Sequence, residues 1–397
     1  MEFLILDLLP FEISSRMRKF AMSLKPLGAV RYVSLSSSGR FGISSWEGVR
    51  EQNGVEVTQI GVKPPNTSRS FYSSVANIVR TYLPGFRRIY RIVKESGAQC
   101  LVVGNPVLVF PALWHRSRRQ SFLILIMRER PGSIRHRGSL AAWFSRVERF
   151  VFRAIGSRID LCVTVCESHA VDARLLGLRE VCVVRNVPYT IGPEPVAPSM
   201  GGPLKVAYAG SLYPGRGLEM LIDAASLCSD RGEAVCIRVV GWASEEYRES
   251  IRRRIHERGL DEAVTLEGPC SQNEVRQLYQ ECDVGCVLYE AVDEAMDSLP
   301  NKLFEVMEAG RCVVATNLPE TRSLVNRLRS GVCFSGTARD LADVLSELSR
   351  DREGVAAMGR RGRSAIVESL NWTREIAGFL EEVTLAGQRV VSGKSGS

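Results

Sequence analysis

Asp297, Lys302 and Glu305 occur close together in the stretch DSLPNKLFEVMEAGRCVVAT, residues 297–316. Asp297 or Ser298 could cap a helix that begins near the Pro-Asn-Lys turn, because their side-chain oxygens accept from free first-turn N–H groups. Lys302 and those N–H groups could hold a phosphate, and Glu305 could accept hydrogen bonds from a ribose diol. The alternatives are a plain cap at Asp297 and a solvated helix residue at Glu305.

A second anion-binding pattern is VAYAGSLYPGRGLEMLIDAA, residues 206–225. An apolar strand ends at Gly210, and Gly215-Arg216-Gly217 precedes an amphipathic helix. Glycines let backbone N–H groups approach an anion, and Arg216 could bind a phosphate in a bidentate manner. The spacing differs from the G-x-G-x-x-G dinucleotide fingerprint. A tight turn with a solvated arginine is the alternative.

Short apolar runs alternate with amphipathic segments along most of the chain, which predicts an α/β protein with parallel sheets covered by helices on both faces. The alternation is interrupted in VPYTIGPEPVAPSMGGPLK, where prolines and glycines break the periodicity. We therefore predict a domain over 1–190, a linker over 191–203 and a second domain over 204–369. A last amphipathic helix at about 370–388 should complete the first domain, and 389–397 should form a disordered tail.

Charge is distributed unevenly between the two predicted domains. The net charge is +8, yet residues 1–190 hold 28 Lys and Arg against 13 Asp and Glu, and the remainder holds 24 against 31. A basic first half and an acidic second half indicate different partners for the two domains. Nucleic acid is not predicted as a partner, because the basic half has no aromatic platform or recognition motif.

Two segments of the basic half have the pattern of membrane-surface helices. GFRRIYRIVK, residues 85–94, is one, and RSRR at 116–119 adds further charge. SLAAWFSRVERFVFRAIGSR, residues 139–158, is the other, with Arg146, Arg149 and Arg153 on one helical face. The opposite face of that helix would hold Leu140, Trp143, Phe144, Val147, Phe150, Val151, Ala154 and Ile155. We predict contact with anionic lipid near a lipid-linked acceptor, and ordinary helices with solvated arginines are the alternative.

Cysteine usage and the absence of long apolar runs bear on location. The eleven cysteines form no C-x-x-C pair and many lie inside apolar runs, which predicts reduced, buried thiols and no metal site. The apolar start, MEFLILDLLPFEI, is interrupted by Asp7 and lacks a basic n-region, so it predicts a buried strand rather than a signal peptide. No uncharged apolar stretch is long enough for a membrane span. We therefore predict a cytoplasmic protein, peripheral on the inner face of the cell membrane.

The two motifs, in this order on one Rossmann-like domain, resemble the nucleotide-sugar domain of retaining glycosyltransferases of the GT-B fold, family-4 type. The shared pattern is a Gly-rich loop with a basic residue after the first strand. It continues with two acids separated by seven residues, then Met-x-x-Gly and a Val-Val strand. The resemblance covers residues 165 to 390, and the first 150 residues match in layout only. It implies two Rossmann-like, doubly wound domains facing each other across a cleft.

The resemblance also implies metal-independent transfer, with retention, from a UDP- or GDP-sugar to a glycan or lipid-linked acceptor in surface polysaccharide or glycolipid synthesis. No cofactor is implied. The implied nucleotide-sugar-binding residues are Gly210, Ser211, Arg216, Gly241, Asp297, Asn301, Lys302, Leu303 and Glu305. The implied catalytic residues are Arg216, Asp297 and Lys302. Glu129 and His136 are further catalytic candidates that the resemblance does not supply; they lie in IMRERPGSIRHRG, a loop just after a buried strand that could contact the acceptor. Surface ion pairs are the alternative for those last two.

Four departures from the family pattern leave rival functions open. Ser211 stands where the family often has arginine, Arg216 stands where lysine is usual, and Asp297 is shorter than the usual glutamate. Pro-Asn-Lys replaces Phe-Gly, so Lys302 could restore the missing positive charge. One rival is a sugar-nucleotide epimerase of the same fold. The other is a catalytically silent binding or scaffold protein.

Overall fold

The chain divides into two compact units. The computed structural model describes the backbone of residues 1–37, 47–62, 71–128, 139–195, 200–290 and 299–392. Unit 1 comprises Met1–Val184 and Ile376–Ser397, and unit 2 comprises Arg185–Glu375. The division therefore falls at Val184 and Glu375, where the sequence analysis had placed boundaries near 190 and 370.

Unit 1 is built on an eight-stranded sheet whose order is β3-β4-β2-β1-β5-β6-β7-β8. All neighbours pair in parallel except β3 with β4. The strands are β1 (Glu2–Asp7), β2 (Ala29–Ser37), β3 (Gly48–Gln52), β4 (Val55–Val62), β5 (Cys100–Val103), β6 (Phe122–Ile126), β7 (Leu161–Thr164) and β8 (Val181–Val183). The short apolar runs that predicted the α/β class correspond to all of these strands but β3.

The missed strand belongs to a hairpin at the sheet edge. Gln52 of β3 pairs with Val55 of β4, and the two residues between them have positive φ, 53° at Asn53 and 72° at Gly54. Such values are typical of a two-residue hairpin turn, in which Asn-Gly is favoured. The Asn-Gly pair is therefore the sequence signal that predicts this antiparallel edge strand.

The helices of unit 1 cover both faces of its sheet. They are α1 (Ser15–Leu24), α2 (Phe71–Glu95), α3 (Val109–Arg119), α4 (Ser139–Ile155) and α5 (Glu167–Leu175), followed at the chain end by α13 (Trp372–Ser392). Side chains of α2 to α5 share one core with Leu4 and Leu6 of β1. On α1, Phe20 packs edge-on against Phe379 of α13, with ring centroids 5.0 Å apart. The last helix therefore packs onto unit 1, and it continues to Ser392, past the predicted start of the tail.

The buried face of α4 differs from the predicted one. Phe150 was placed on the apolar face, yet 72% of its surface is exposed, whereas Phe152 is only 2% exposed and packs in the core. Arg149 and Arg153 are exposed beside Phe150. The helical pattern was ambiguous because Phe150, Val151 and Phe152 are consecutive, so apolar side chains point in three directions.

Unit 2 has the classical doubly wound order. Its six strands are all parallel and run β11-β10-β9-β12-β13-β14. They are β9 (Leu204–Ala209), β10 (Val235–Val240), β11 (Val264–Glu267), β12 (Val284–Val287), β13 (Cys312–Thr316) and β14 (Gly331–Phe334). The helices are α6 (Leu218–Asp230), α7 (Glu245–Glu257), α8 (Gln272–Glu281), α9 (Asn301–Glu308), α10 (Pro319–Leu328), α11 (Ala338–Arg350) and α12 (Arg352–Glu368). The order reverses between β9 and β12, which is the switch point where such sheets bind ligands.

Cysteine placement and helix composition complete the description. All eleven cysteines are free thiols, and only Cys270 is exposed. Among the helices in the described part of the chain, none combines the length and the apolar character that crossing a bilayer requires.

Candidate functional site

Two loops meet at the switch point of unit 2 through glycines. A Cβ atom on Gly241, after β10, would lie 1.8 Å from the carbonyl oxygen of Gly210, after β9. Gly210 itself has φ +144°, and the N–H of Leu212 donates to the carbonyl of Trp242 at 2.8 Å. The close approach excludes side chains from both glycine positions, so the backbone forms the floor of the site.

Lys302 reaches this floor from the first turn of α9. Its Nζ lies 4.1 Å from the ring centre of Tyr208, the penultimate residue of β9. A Cβ atom on Gly210 would lie 2.5 Å from its Cε, so a larger residue at 210 would displace the lysine. Among the described residues, no hydrogen-bond acceptor contacts the buried Nζ. The ammonium group is therefore held over an aromatic ring, where cation–π attraction partly offsets its desolvation.

The environment of Lys302 also lowers the pKa of its ammonium group. Burial of the ammonium, reinforced by the neighbouring Arg216, lowers the pKa of Lys302 to about 8, and Glu305 opposes that shift. An anion placed beside Nζ would raise the pKa again, because opposite charge favours the protonated form. The site therefore has a cation that gains from the arrival of an anionic ligand.

Arg216 shares the same aromatic surroundings. Its guanidinium lies 4.6 Å from the ring centre of Tyr213 and 4.8 Å from that of Tyr289, and it donates to the Tyr213 hydroxyl. Nζ of Lys302 is 6.0 Å from the same Tyr289 ring. The hydroxyl of Tyr208 donates to the Arg216 carbonyl at 2.8 Å and fixes the loop. Three tyrosines, Tyr208, Tyr213 and Tyr289, thus hold both cations, and we call this group the tyrosine cradle.

The sequence analysis did not single out the tyrosine cradle. Each of its members lies at or just after the end of a strand, in YAG, LYPG and LYE. That recurrence was the available signal, because loops after strands form the ligand edge of the sheet. Burial is the first cause that raises the pKa of Tyr289, so its hydroxyl stays neutral beside the cations.

The other predicted residues of unit 2 divide into several groups. Glu305 is half-buried on α9, and Ser211 is exposed in the loop after Gly210. Oδ1 of Asn301 accepts from Nδ2 of Asn186 at 2.7 Å. Leu303 is fully buried, and its N–H donates to the Pro300 carbonyl at 3.0 Å, so its side chain belongs to the core.

The start of α9 differs from its prediction, and four predicted residues lie outside the described ranges. Pro300 is the N-cap of α9, and no side-chain cap bond is formed there. The first turn consequently keeps N–H groups that a ligand could use. Asp297, with the Ser298 that was predicted as an alternative cap, lies outside the described residues. The same holds for Glu129 and His136 of the predicted acceptor loop.

Residues 203–351 match the family model described as glycosyl transferases group 1. This part of the chain is therefore similar to the group 1 glycosyltransferases. This match includes β9 to β14 and therefore both motifs on which the resemblance rested. The predicted resemblance is confirmed.

Relatives and solved structures agree with this assignment. A GDP-mannose-dependent alpha-(1-6)-phosphatidylinositol monomannoside mannosyltransferase of Mycobacterium tuberculosis is 25% identical over 252 residues, or 59% of this chain. The match spans 65% of that relative's length. Anabaena HepE in complex with UDP has a TM-score of 0.71 at 16% identity, over 97% of this chain and 100% of HepE. A sucrose-phosphate synthase of Thermosynechococcus elongatus has a TM-score of 0.73 at 14% identity, over 99% and 100%. The predicted GT-B fold is confirmed.

A second carboxylate on α9 has a structural role in unit 2. Glu308 is 4% exposed and accepts from the Gly192 N–H at 2.6 Å. Its oxygens also contact Arg276 at 3.2 Å and Arg363 at 3.3 Å. Because Arg363 donates in turn to the Gly192 carbonyl at 2.6 Å, the beginning of the predicted linker is bound to unit 2. This explains why the boundary precedes residue 191.

Unit 1 has a buried polar cluster at the edge where β1 and β6 end. Asp7 is 1% exposed and accepts from the hydroxyls of Ser14 at 2.6 Å and Tyr32 at 2.9 Å. Arg128, just after β6, forms an ion pair with the same carboxylate. Burial, followed by the charge of Asp7, raises the pKa of Tyr32. The sequence analysis used Asp7 only to interrupt an apolar run, and the lone acid gave no signal of this cluster.

Proposed function

We propose that the protein is a retaining, metal-independent glycosyltransferase. It moves a sugar from a nucleotide-diphosphate sugar to a glycan or lipid-linked acceptor in the synthesis of a surface polysaccharide or glycolipid. The observation that carries the proposal is the pair of cations, Lys302 and Arg216, held on the tyrosine cradle at the switch point of unit 2. Two fixed positive charges beside free helix N–H groups suit a diphosphate.

The reaction needs negative charge on the departing diphosphate to be stabilised while the sugar becomes oxocarbenium-like. Preorganised donors do this without reorganisation at the moment of reaction. Lys302, Arg216 and the first-turn N–H groups of α9 would bind the diphosphate, and Glu305 would bind the ribose. Asp297 would contact sugar hydroxyls, and the leaving phosphate would accept the proton of the acceptor. Because cationic side chains neutralise the diphosphate, the proposal assigns no step to a metal ion.

The names of similar proteins support two candidate donor nucleotides. The M. tuberculosis relative is named for its dependence on GDP-mannose, and HepE has been solved with UDP and with UDP-glucose. We propose a UDP- or GDP-sugar as donor. The same relative acts on a phosphatidylinositol monomannoside, which is a glycolipid, and this supports a lipid-linked acceptor here.

A lipid-linked acceptor fits the charge of unit 1. Helices α2, α3 and α4 hold eleven Lys and Arg against two Glu. Such an excess attracts the anionic cytoplasmic leaflet of a membrane. We propose a cytoplasmic enzyme that contacts this leaflet peripherally, with its acceptor bound at the edge of unit 1 that includes Asp7.

Calorimetry with UDP, GDP, ADP and dTDP in the presence of EDTA tests the donor site. We expect one of these diphosphates to bind most tightly, because base recognition discriminates among them while the diphosphate contacts are common to all. Release of sugar from the matching nucleotide sugar, with and without added acceptor glycolipid, then separates the rival functions. Binding of none of the four would overturn the proposal. Binding without sugar release would favour the rival function, a catalytically silent binding or scaffold protein. Ser211, which stands where the family often has arginine, is the departure that supports this rival.

The affinity for the diphosphate should depend on pH through Lys302. In the free protein the pKa of Lys302 is about 8, below the ordinary lysine value of 10.5, because the ammonium is buried, so the group loses its proton as pH rises through 8. A bound diphosphate raises that pKa, so the complex retains the proton longer. Affinity should therefore fall by up to about tenfold per pH unit above 8. Phosphate groups, with a second pKa near 6, are fully ionised in this range. Calorimetry from pH 7 upward would measure the slope, and Lys302→Met should abolish it.

A further inference from the structure

A cleft of about 510 Å³ opens on unit 1 at the edge where β7 and β8 begin. Its lining consists of Arg153, Ser157, Arg174, Gly177, Leu178 and Arg179. The residues come from the end of α4 and the turn after it, and from the end of α5 and the loop after it, just before the two strands start. Ligands of doubly wound sheets bind where strands end. The cleft is therefore separate from the edge that the proposed acceptor would use, and we call it the arginine cleft.

The arginine cleft concentrates positive charge. Arg153, Arg174 and Arg179 are all exposed. In the portion of the chain that the structure describes, no carboxylate forms an ion pair with any of these three arginines. Arg174 donates a hydrogen bond to the Val181 carbonyl at 3.4 Å. Three guanidinium groups around one concave surface have the donor geometry that phosphate groups require.

Apolar side chains stand exposed on the same two helices. Phe150, one turn before Arg153 on α4, is 72% exposed. On α5, Val171 is 54% and Leu175 is 69% exposed, and they lie one turn apart on either side of Arg174 in sequence. Neighbouring positions at this spacing share a helix face. A free phosphate ion would account for the arginines but not for a large exposed phenylalanine beside them.

We propose that the arginine cleft binds the phosphate headgroup of an anionic phospholipid while Phe150, Val171 and Leu175 enter the lipid surface. Cationic side chains around exposed aromatic and aliphatic residues are the composition of a bilayer-surface contact. The inference rests on the membrane contact proposed above and names its lipid class and its residues. The arginine cleft is in unit 1 and the proposed nucleotide site is in unit 2. Vesicle binding and nucleotide binding can therefore be measured and mutated independently.

The test is co-sedimentation of the full chain with vesicles of phosphatidylcholine, alone and mixed with phosphatidylglycerol. The cleft variant is Arg153→Gln/Arg174→Gln/Arg179→Gln. Its control, Arg253→Gln/Arg327→Gln/Arg360→Gln, removes the same charge from exposed positions of unit 2. We expect wild type and control to bind the mixed vesicles, and the cleft variant to partition about 100-fold less, since each surface arginine contributes roughly tenfold or less.

An apolar variant and a soluble competitor distinguish the source of the phosphate. Phe150→Ser/Leu175→Ser should also weaken vesicle binding, and inorganic phosphate at modest concentration should not displace the protein. Equal loss in the cleft variant and the control would overturn the inference, as would failure of the wild type to bind. Displacement by inorganic phosphate with no effect of Phe150→Ser/Leu175→Ser would identify a soluble-anion site instead. Nucleotide binding by the cleft variant should be unchanged, so failure of the donor-site proposal would be seen separately.

Discussion

Replacing Lys302 with methionine is expected to lower the rate of sugar transfer by 100-fold or more while the protein remains folded. One preorganised donor that acts on developing charge contributes roughly 100-fold to 1,000-fold. The ammonium lies 4.1 Å from the Tyr208 ring centre and is the cation that reaches the glycine floor from α9. Methionine has a similar length and no charge to desolvate, so the free energy of unfolding should stay the same or rise.

Lys205→Met is the matched control, because Lys205 is an exposed lysine of the same unit, on β9. This control should retain both transfer and nucleotide affinity. The measurement is initial rate against the preferred nucleotide sugar, together with urea denaturation of each variant. Transfer by Lys302→Met at the wild-type rate would show that the tyrosine cradle holds a structural lysine, and the diphosphate role would have to pass to Arg216.

Two glutamates on α9 are expected to differ in role, Glu308 in the stability of the fold and Glu305 in nucleotide binding. Glu308→Gln is expected to lower the free energy of unfolding by about 3–5 kcal/mol, because it removes the charge that pairs with two arginines in a buried site. Those arginines are Arg276 and Arg363, and the Gly192 segment depends on the same carboxylate. Glu305→Gln should change stability much less and should lower nucleotide affinity by about tenfold to 100-fold, as for a hydrogen bond to a charged group.

Chemical denaturation and calorimetry on both variants would measure this separation. Each variant serves as the control of the other, since the substitution is identical and the positions are one turn apart on one helix. Stability lost at Glu305 with affinity retained would contradict the ribose role. Full stability of Glu308→Gln would show that the two arginines and the linker segment do not need the carboxylate.

The local sequence pattern was sufficient to locate the strands and helices, and the residue types, on which the proposed donor site depends. Strand-forming runs end at Gly210 and near Tyr289, and glycines with a basic residue follow the first of them. The alternation of apolar and polar residues indicates which segments are buried. A glycine indicates a position where the backbone approaches another backbone segment or a ligand closely. These are properties of neighbouring residues, so they can be read before the chain is folded.

The order of the strands and the contacts between distant side chains could be determined only from the tertiary structure. Periodicity is the same for any order of parallel strands, so the reversal between β9 and β12 could not be inferred from it. The tyrosine cradle joins residues from β9, the loop after it and the end of β12, and no local pattern pairs them. Glu305 and Glu308 look alike in sequence, yet only Glu308 faces Arg276 and Arg363.

The amino-acid sequence by itself determined the α/β class, the resemblance to a glycosyltransferase family, and the presence of two cations and a carboxylate in a loop and on a helix of one domain. Tertiary structure decided that Lys302 and Arg216 share the Tyr289 ring, that Leu303 lies in the core and that Phe150 rather than Phe152 is exposed. The physical reason is that burial and charge pairing depend on which distant segments pack together. A helix of mixed apolar residues, such as α4, acquires its buried face only when a sheet covers one side.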